Sequence, residues 1–428
     1  MLLRSGGTTG PQGNPKLRPL DVRWVQGQDG RPYLLLHDPL SLAPTDLLVP
    51  REMAPLLALM DGSRDIPTIH SAFVLRTGIN MSLAQVQGFI AHLERALLLD
   101  SPSFREAQRH ALERFRQAPY RSPALAGIVY PPDPQTLARF CQQAWEAARE
   151  HGPLQPPAAP LAGVLSPHID YQRGWPVYAK TWGLAAPSLQ DVDVVVILGT
   201  DHQGGPGSIT LTRQHYATPW GSLPTDRLLV DALAKAIGPE AAFAEELHHA
   251  TEHSIELALV WLHYALGGKQ VSLLPVLCGH FAHWMTDGLN PAQDIRLEHF
   301  IKTLREGLRG RRWLVVAAGD LAHVGPAFGD AMPYDLVGKA RLKEADLGLL
   351  ATVGQGNADG FFRTLQAEQD RRKVCGLSCI YLALRLMGSE VEGHLVDYAQ
   401  CPADAQGTSL VSIAGLLWTR RPQHIVPS

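Results

Sequence analysis

From about residue 120 onward, short apolar runs alternate with segments whose apolar residues recur every three or four positions. The apolar runs, rich in Val, Ile and Leu, are AGVLS, VDVVVILGT, QVSLLPVLCG and RWLVVAAGD. The segments with helical periodicity are DRLLVDALAKAIG, HSIELALVWLHYALG and LEHFIKTLREGLRG. This alternation predicts an α/β domain with a central, mostly parallel β-sheet that is covered by helices.

The first hundred residues show a different pattern. VRWVQGQDGRPYLLLHDP predicts a β-hairpin with its turn at Asp29. A helical stretch follows, interrupted near Asp61, and SLAQVQGFIAHLERALLLDS predicts a further helix with Ser82 as its N-cap. A small sheet with three helices predicts a winged-helix-like α+β domain over residues 18–103.

Three features of this region resemble the PqqD-like domain, a peptide-recognition domain found beside radical-SAM enzymes. They are the helix end LLALMDG, the helix around SAF and the closing FIAHL and LLLD. The resemblance implies binding of a peptide substrate or a partner, and a structural or dimerising role is an equally weighted interpretation. We expect residues 1–17 to be a disordered tail and residues 104–119 to be a helical linker.

Composition narrows the class of protein. The chain has 428 residues, of which 45% are hydrophobic and 18% charged, and its formal net charge is −3. Two domains are expected at this length. A near-neutral chain gives no reason to expect nucleic acid as a partner, and no apolar stretch predicts a membrane span or a signal peptide. Five cysteines suit a reducing cytoplasm.

Three of the predicted strands end in side chains that can bind metal or transfer protons. AGVLS is followed by His168, VVVILGT by Asp201 and His202, and WLVVAAG by Asp320 and His323. In open α/β sheets the ligand crevice lies outside the carboxyl ends of the strands. Neutral imidazole is the commonest protein metal ligand. The pattern therefore predicts a metal site at this edge, with Asp320 and His323 as holders of a ligand or as an acid/base pair.

Other candidates are less distinctive. A fourth strand ends near Cys278 and His280. The segment ATEHSIELAL places Glu252 and His253 at the start of a helix, where Thr251 or an acid is a normal cap. A functional role for His253 and a purely structural one are both open.

Cys375 lies at the start of a predicted helix, directly after three basic residues. A helix N-terminus and neighbouring cations lower a thiol pKa, and the thiolate is the form that binds metal. Cys379 lies one helical turn later and is expected to be a core residue. Cys141 and Cys401 have no neighbours that indicate a function.

A series of ordered motifs resembles the Memo family, whose bacterial branch is called AmmeMemoRadiSam system protein B. The motifs are RSPALAGIVYPPDPQTLARF, SPHIDYQRG, ILGTDHQGG, YATPWGSLPTD, EHSIELAL, LLPVLCG, AAGDLAHVG, VCGLSCIYLAL and LVDYAQCPADAQGTSLVSIAGLLW. They predict a Memo-like metal-binding domain over residues 120–424. The resemblance implies kinship in fold with the LigB-like class III extradiol dioxygenases.

The resemblance also implies a site. It implies one metal ion held by two histidines and one cysteine, which are His168, His202 and Cys375. Asp320 and His323 then occupy neighbouring acid/base positions, and His253 falls near the pocket. The implied partners are a radical-SAM enzyme and an AMMECR-type protein.

The sequence departs from the family pattern at two places. The family's PHAGY corresponds to PHIDY here, which introduces Asp170, and its LGPSH corresponds to LGTDH, which introduces Asp201. These carboxylates either tune the metal or bond to their own backbone in turns.

Two imidazoles and one thiolate suit iron(II) or copper(I), and zinc also accepts this set. The leading interpretation is a mononuclear metal-dependent oxidoreductase. A non-catalytic peptide-binding or protein-binding scaffold and a zinc-dependent hydrolase are the alternatives, because fold alone does not establish a reaction.

Overall fold

The computed structural model describes residues 13–150, 156–286 and 289–421. The chain divides into two compact units, Met1–Gln117 and Ala118–Ser428.

The N-terminal tail was expected to extend to residue 17, and its first twelve residues lie outside the described residues. Lys16 and Leu17 belong to the folded unit, because they form antiparallel bridges with Asp61 and Leu99. Residues 13–17 of the predicted tail are thus described, and two of them contact the first unit.

The first unit contains a three-stranded antiparallel sheet and four helices in its described part. Its elements are β1 Asp21–Gln26, β2 Pro32–His37, β3 Leu47–Pro50, α1 Ala54–Ala58, α2 Ile66–Thr77, α3 Leu83–Arg95 and α4 Pro102–Gln117. The predicted hairpin is confirmed as β1–β2. The predicted N-cap is confirmed as well, since Ser82 and Gln85 form a reciprocal capping box at the start of α3. Most of the predicted linker lies in α4, and the winged-helix assignment stays a prediction.

The second unit contains the α/β domain. Its strands are β4 Leu161–Ser166, β5 Val194–Thr200, β6 Ile209–Leu211, β7 Tyr216–Thr218, β8 Gly221–Leu223, β9 Ser272–Cys278, β10 Trp313–Ala318, β11 His323–Val324, β12 Val391–Pro402 and β13 Leu410–Arg420. Its α-helices are α5 Pro134–Glu150, α6 Tyr171–Leu189, α7 Arg227–Ile237, α8 Pro239–Phe243, α9 His248–Thr251, α10 Ser254–Ala265, α11 Ala282–Thr286, α12 Ile295–Gly307, α13 Leu336–Gly354, α14 Ala358–Ala367 and α15 Leu377–Met387. All four predicted strands and all three predicted helices are confirmed.

The large sheet is mixed. Its strand order is β11-β13-β4-β10-β5-β9-β6, and β12 also pairs with β13. The central strands β4, β10, β5 and β9 are parallel, whereas β6, β11, β12 and β13 pair antiparallel. The expectation of a mostly parallel sheet is thus corrected: the long C-terminal β12–β13 hairpin adds antiparallel pairs along one side.

Helices cover both faces of the central strands, as β5 illustrates. Val194, Val196 and Leu198 lie in one apolar core with residues of α7, α12 and α15, whereas Val195 and Ile197 lie in the other with residues of α6 and α10. Successive side chains of a strand point to opposite faces, so a strand buried on both sides is apolar throughout. This explains the unbroken Val/Ile/Leu runs. None of the helices in the described ranges combines the length and apolarity needed to cross a membrane.

Candidate metal centre

The candidate site lies at the carboxyl ends of three adjacent parallel strands. β10 pairs with β4 on one side and with β5 on the other. The chain passes from β4 through α6 to β5 and returns later to insert β10 between them, so the strand order reverses at this point. Such a reversal opens a crevice at the carboxyl edge. The residues that follow β4, β5 and β10 are the predicted site residues.

His168 is a buried imidazole with a defined orientation. Its Nδ1 lies 3.0 Å from the carbonyl oxygen of Ala318, and its backbone N–H donates to Asp320 Oδ1 at 2.8 Å. Its Nε2 lies 3.3 Å from Cys375 Sγ. Burial, followed by His202 and His253, holds the pKa of His168 well below its ordinary value. The ring is therefore neutral, and donation from Nδ1 to the carbonyl leaves the Nε2 lone pair available to a metal.

Glu252 orients two further imidazoles. The Nδ1 atoms of His202 and His253 both lie 3.1 Å from its carboxylate oxygens. The two rings stack with centroids 4.6 Å apart, and each lies about 5 Å from the ring of His168. The same carboxylate accepts the backbone N–H groups of His202, His253 and Ser254 at 2.7–3.0 Å. Glu252, which precedes the N-cap residue His253 of α10, thus bonds the backbone at the start of this helix and also holds two imidazoles.

Without a metal, the pKa shifts of Glu252 and His202 both favour the charged pair. Burial alone would raise the pKa of Glu252, but His202 and His253 hold it well below its ordinary value. Burial alone would lower the pKa of His202, but Glu252 outweighs burial and raises it. A metal cation that bound Nε2 of His202 would replace the proton on that nitrogen. The Glu252 carboxylate would then compensate the positive charge of the metal instead of that of the protonated ring.

Asp320 and His323 follow β10 and face the same crevice. Asp320 Oδ2 lies 3.8 Å from His168 Nε2, and burial raises the pKa of this carboxyl group. Burial lowers the pKa of His323, whose Nδ1 lies 3.2 Å from the Leu321 carbonyl oxygen. Burial thus favours the uncharged form of both side chains, and their position in one crevice makes them candidates for proton transfer.

The thiol of Cys375 differs from the sequence-based expectation. Burial, followed by the Asp320 charge, raises the pKa of Cys375 well above its ordinary value. The preceding cations do not lower it, because Arg372 is paired with Asp346 and Lys373 with Asp330. The residue is a neutral thiol unless a bound cation displaces its proton.

Side chains capable of binding metal form two compact groups that share His168. One contains His168, His202 and His253, and the other contains His168, Asp320 and Cys375; within each group the candidate ligand atoms lie within 4.8 Å of one another. The ligand set implied by the resemblance takes members from both groups. A third such group, Asp201, Glu245 and His248, lies beside them.

The crevice is a cleft of about 580 Å³. Its polar part consists of four imidazoles, those of His168, His202, His253 and His323, together with Asp320, Asp170, Arg173 and Thr251. Its other walls are mostly apolar, and they include Leu125, Val129, Ile169, Leu257, Phe328 and Val411. A volume of this order accommodates a small-molecule ligand.

The family model described as Memo-like protein matches residues 121–417. The chain belongs to the Memo family. The match covers nearly all of the second unit, including the strand ends, the Glu252–His253 segment and Cys375.

Two relatives illustrate the extent of the Memo similarity. A MEMO1 family protein of Aquifex aeolicus is 26% identical over 420 residues, which cover 94% of this chain and 99% of that protein. A MEMO1 family protein of Methanopyrus kandleri is 30% identical over 313 residues, which cover 70% of this chain and 99% of that protein. The first alignment therefore includes the N-terminal unit.

The two departures from the Memo pattern have local partners. Asp170 caps α6 by accepting the backbone N–H of Arg173 at 3.1 Å, and it also pairs with the Arg173 side chain. Asp201 accepts the Gln203 N–H at 3.1 Å and lies 2.9 Å from His248 Nδ1. Neither carboxylate belongs to the two groups around His168. Asp170 nevertheless lines the crevice, and Asp201 pairs with His248.

The remaining candidates do not line the Memo crevice. Cys278 and Cys379 are fully buried core residues, and the Cys379 thiol contacts the carbonyl oxygens of Ala318 and Gly376. His280 is exposed after β9. Cys141 and Cys401 are buried. Sequence reasoning assigned no metal-site role to Glu252, although a carboxylate next to a histidine at a helix start was the available signal.

Proposed function

We propose that this Memo protein is a mononuclear metal-dependent oxidoreductase whose metal is held by Nε2 of His168, Nε2 of His202 and the thiolate of Cys375. The observation that supports it most strongly is the shared orientation of the imidazoles. The Nδ1 atoms of His168 and His202 are held by a carbonyl oxygen and a carboxylate. Their Nε2 atoms are left for a metal, which is how metal-binding histidines are usually oriented.

The donor set is suited to iron(II) or copper(I). Thiolate is a soft ligand that favours copper(I) and iron, and imidazole suits both. The high pKa of the Cys375 thiol is compatible with this role, since metal binding removes the proton that burial would otherwise retain. Such a metal would supply redox chemistry to a ligand in the cleft.

The protein's own residues would position that ligand and move protons. The apolar walls, including Leu257 and Phe328, would exclude water from a bound small molecule. His323 would accept or donate a proton through its Nε2, because its Nδ1 is held by the Leu321 carbonyl. Asp320 would hold the His168 backbone by its hydrogen bond, and its charge would stabilise a proton on His323.

A zinc hydrolase is the second candidate, and the group of three histidines favours it. Three imidazoles with an open position are a known ligand set of catalytic zinc. His253 would then replace Cys375 as the third ligand, and the metal would polarise a carbonyl or water instead of exchanging electrons.

Metal analysis of anaerobically purified full-length protein tests the two candidates. The oxidoreductase proposal predicts about one iron or copper ion per chain and an absorption spectrum that changes when oxygen is admitted. Stoichiometric zinc and a spectrum indifferent to oxygen would favour the hydrolase.

Glu252→Gln is expected to weaken metal binding by about 10–100-fold, because outer carboxylates that orient metal-binding histidines typically contribute this much. A neutral amide cannot compensate the charge of both imidazoles. Metal affinity would be measured by competition with a chromophoric chelator. Glu298→Gln, in the exposed face of α12, is the matched control and should bind metal like the wild type. Unchanged affinity in Glu252→Gln would refute the orienting role.

For the N-terminal unit we propose recognition of an extended peptide or a partner of the radical-SAM or AMMECR type. Among the described residues, β1 pairs only with β2 and leaves one edge open. The side chains of Val22 and Trp24 on β1 are more than half exposed, at 53% and 56%. An open strand edge with exposed apolar side chains suits the addition of a peptide strand.

Trp24→Ser is expected to weaken binding of a co-expressed radical-SAM partner by about tenfold or more, since exposed tryptophans are typical binding hot spots. Leu75→Ser, which changes an exposed residue of α2, is the control. Binding would be measured by co-purification and titration, with far-UV circular dichroism to verify folding. Equal partner binding by Trp24→Ser and the wild type would contradict the proposal.

A further inference from the structure

A strained loop directly precedes Cys375. Three of the five residues 369–373 are non-glycine residues with positive φ: 53° at Gln369, 45° at Asp370 and 53° at Lys373. L-amino acids avoid this region because Cβ approaches the backbone too closely. Such conformations persist only where surrounding contacts impose them, and they concentrate at functional sites.

Arg372, within the strained loop, makes the buried ionic contacts of this loop. Its guanidinium is buried and lies 2.5 Å from Asp346 Oδ1 and 2.7 Å from Glu368 Oε1. Asp346 is fully buried on α13, and its other oxygen accepts the Tyr398 hydroxyl at 2.8 Å. The fork of an arginine fixes direction as well as distance, so this pair defines where the loop lies.

The strained loop reaches the candidate metal centre at two points. The Arg372 carbonyl oxygen accepts the backbone N–H of His323 at 2.8 Å. Just past Cys375, the N–H of Gly376 donates to the Asp320 carbonyl at 2.9 Å. A Cβ on Gly376 would lie 2.7 Å from that carbonyl oxygen, so the approach requires glycine. The segment 372–376 thus contacts Asp320 and His323, which both follow β10, and it carries the Cys375 thiol.

We propose that Arg372 and Asp346 are positioning residues that set the place of the Cys375 thiol relative to His168 and His323. This inference rests on the proposed function for its significance, although the thiol position can be measured without metal. A buried ion pair adds little stability compared with a packed apolar pair, whereas it restricts the conformations available. A buried charged pair next to a strained loop therefore points to positioning.

Removing the pair is expected to expose the thiol. The double variant Arg372→Met/Asp346→Leu removes both members of the buried charge pair together and leaves Glu368, which is partly exposed, and the Tyr398 hydroxyl without these partners. Far-UV circular dichroism and a urea titration verify that it is folded. The metal-free double variant should be alkylated at Cys375 by iodoacetamide about tenfold faster than the wild type, because the thiol is only partly exposed and access limits its reactivity. Alkylation of Cys375→Ser under the same conditions measures how much of the observed rate comes from the other cysteines. Arg372→Lys keeps the charge without the fork and should recover part of the protection.

Lys373→Gln is the matched control. It removes the neighbouring exposed pair with Asp330 and leaves the Arg372 contacts intact, so its alkylation rate should stay within about twofold of wild type. Cobalt(II) provides the second measurement. The near-ultraviolet thiolate-to-cobalt band should be lost or displaced in the double variant and retained in Lys373→Gln.

Wild-type alkylation kinetics in the folded double variant would overturn the positioning role. Absence of a thiolate band in the wild type would instead contradict Cys375 as a ligand, and the alkylation rates of the metal-free proteins would still decide the role of Arg372 and Asp346. The two proposals therefore fail in distinguishable ways.

Discussion

His168→Ala is expected to abolish stoichiometric metal binding, with a loss of affinity of about 100-fold or more. Changing an outer residue that merely orients a metal-binding histidine already costs about 10–100-fold, and removing the ligand itself should cost at least the upper value. His168 is also the one residue shared by both compact groups around the crevice. The expectation therefore holds whether His253 or Cys375 is the third ligand.

The local structure shows how His168 is held in place. Its backbone N–H is bonded to Asp320, and its Nδ1 to the carbonyl of Ala318, so the ring is fixed before metal arrives. Its depressed pKa keeps the lone pair free at neutral pH. Alanine leaves a gap that is lined by groups fixed in other directions.

Metal content after dialysis against limiting metal would measure this effect. His280→Ala is the control, because His280 also follows a sheet strand but is exposed outside the crevice. The control should keep about one metal per chain. Full metal content in His168→Ala would show that the metal lies elsewhere.

Glu256→Gln is expected to destabilise the second unit by about 3–5 kcal/mol, the usual cost of leaving one partner of a buried ion pair alone. Arg121 and Glu256 are paired and almost completely buried. Glu256 also accepts the Tyr130 hydroxyl, whereas Arg121 Nη2 donates to the Glu252 carbonyl at 2.9 Å. The Arg121–Glu256 pair thus connects the start of the second unit to α10, the helix that follows Glu252.

Tryptophan fluorescence in a urea titration would report this loss. Eight of the nine tryptophans belong to the second unit, with Trp24 the exception. Arg312→Met removes an exposed pair with Asp193 and should cost about 1 kcal/mol or less. A Glu256→Gln transition within that range would contradict the structural role of the buried pair.

Much of the candidate site could be predicted from the sequence, because the position of a residue after a strand depends on local pattern alone. Apolar runs that are buried on both faces identify parallel strands, and His168, His202 and His323 follow them directly in sequence. The seven predicted strands and helices of the α/β region were found for the same reason.

What sequence pattern missed depends on long-range contacts. Glu252 has the local signature of a helix cap, and only the fold brings His202 to the same carboxylate. The expected low pKa of Cys375 was wrong because desolvation of the thiol and the Asp320 charge raise it, and because Arg372 and Lys373 are paired with acids. The antiparallel β12–β13 hairpin was not anticipated either, since an apolar run does not by itself state the direction of pairing.

A crystal of the full-length protein grown with its native metal, with anomalous diffraction recorded at that metal's absorption edge, tests the central claim most directly. The account predicts one strong anomalous peak within bonding distance of Nε2 of His168, Nε2 of His202 and Sγ of Cys375. The absence of a peak from this crevice in metal-replete protein would contradict it.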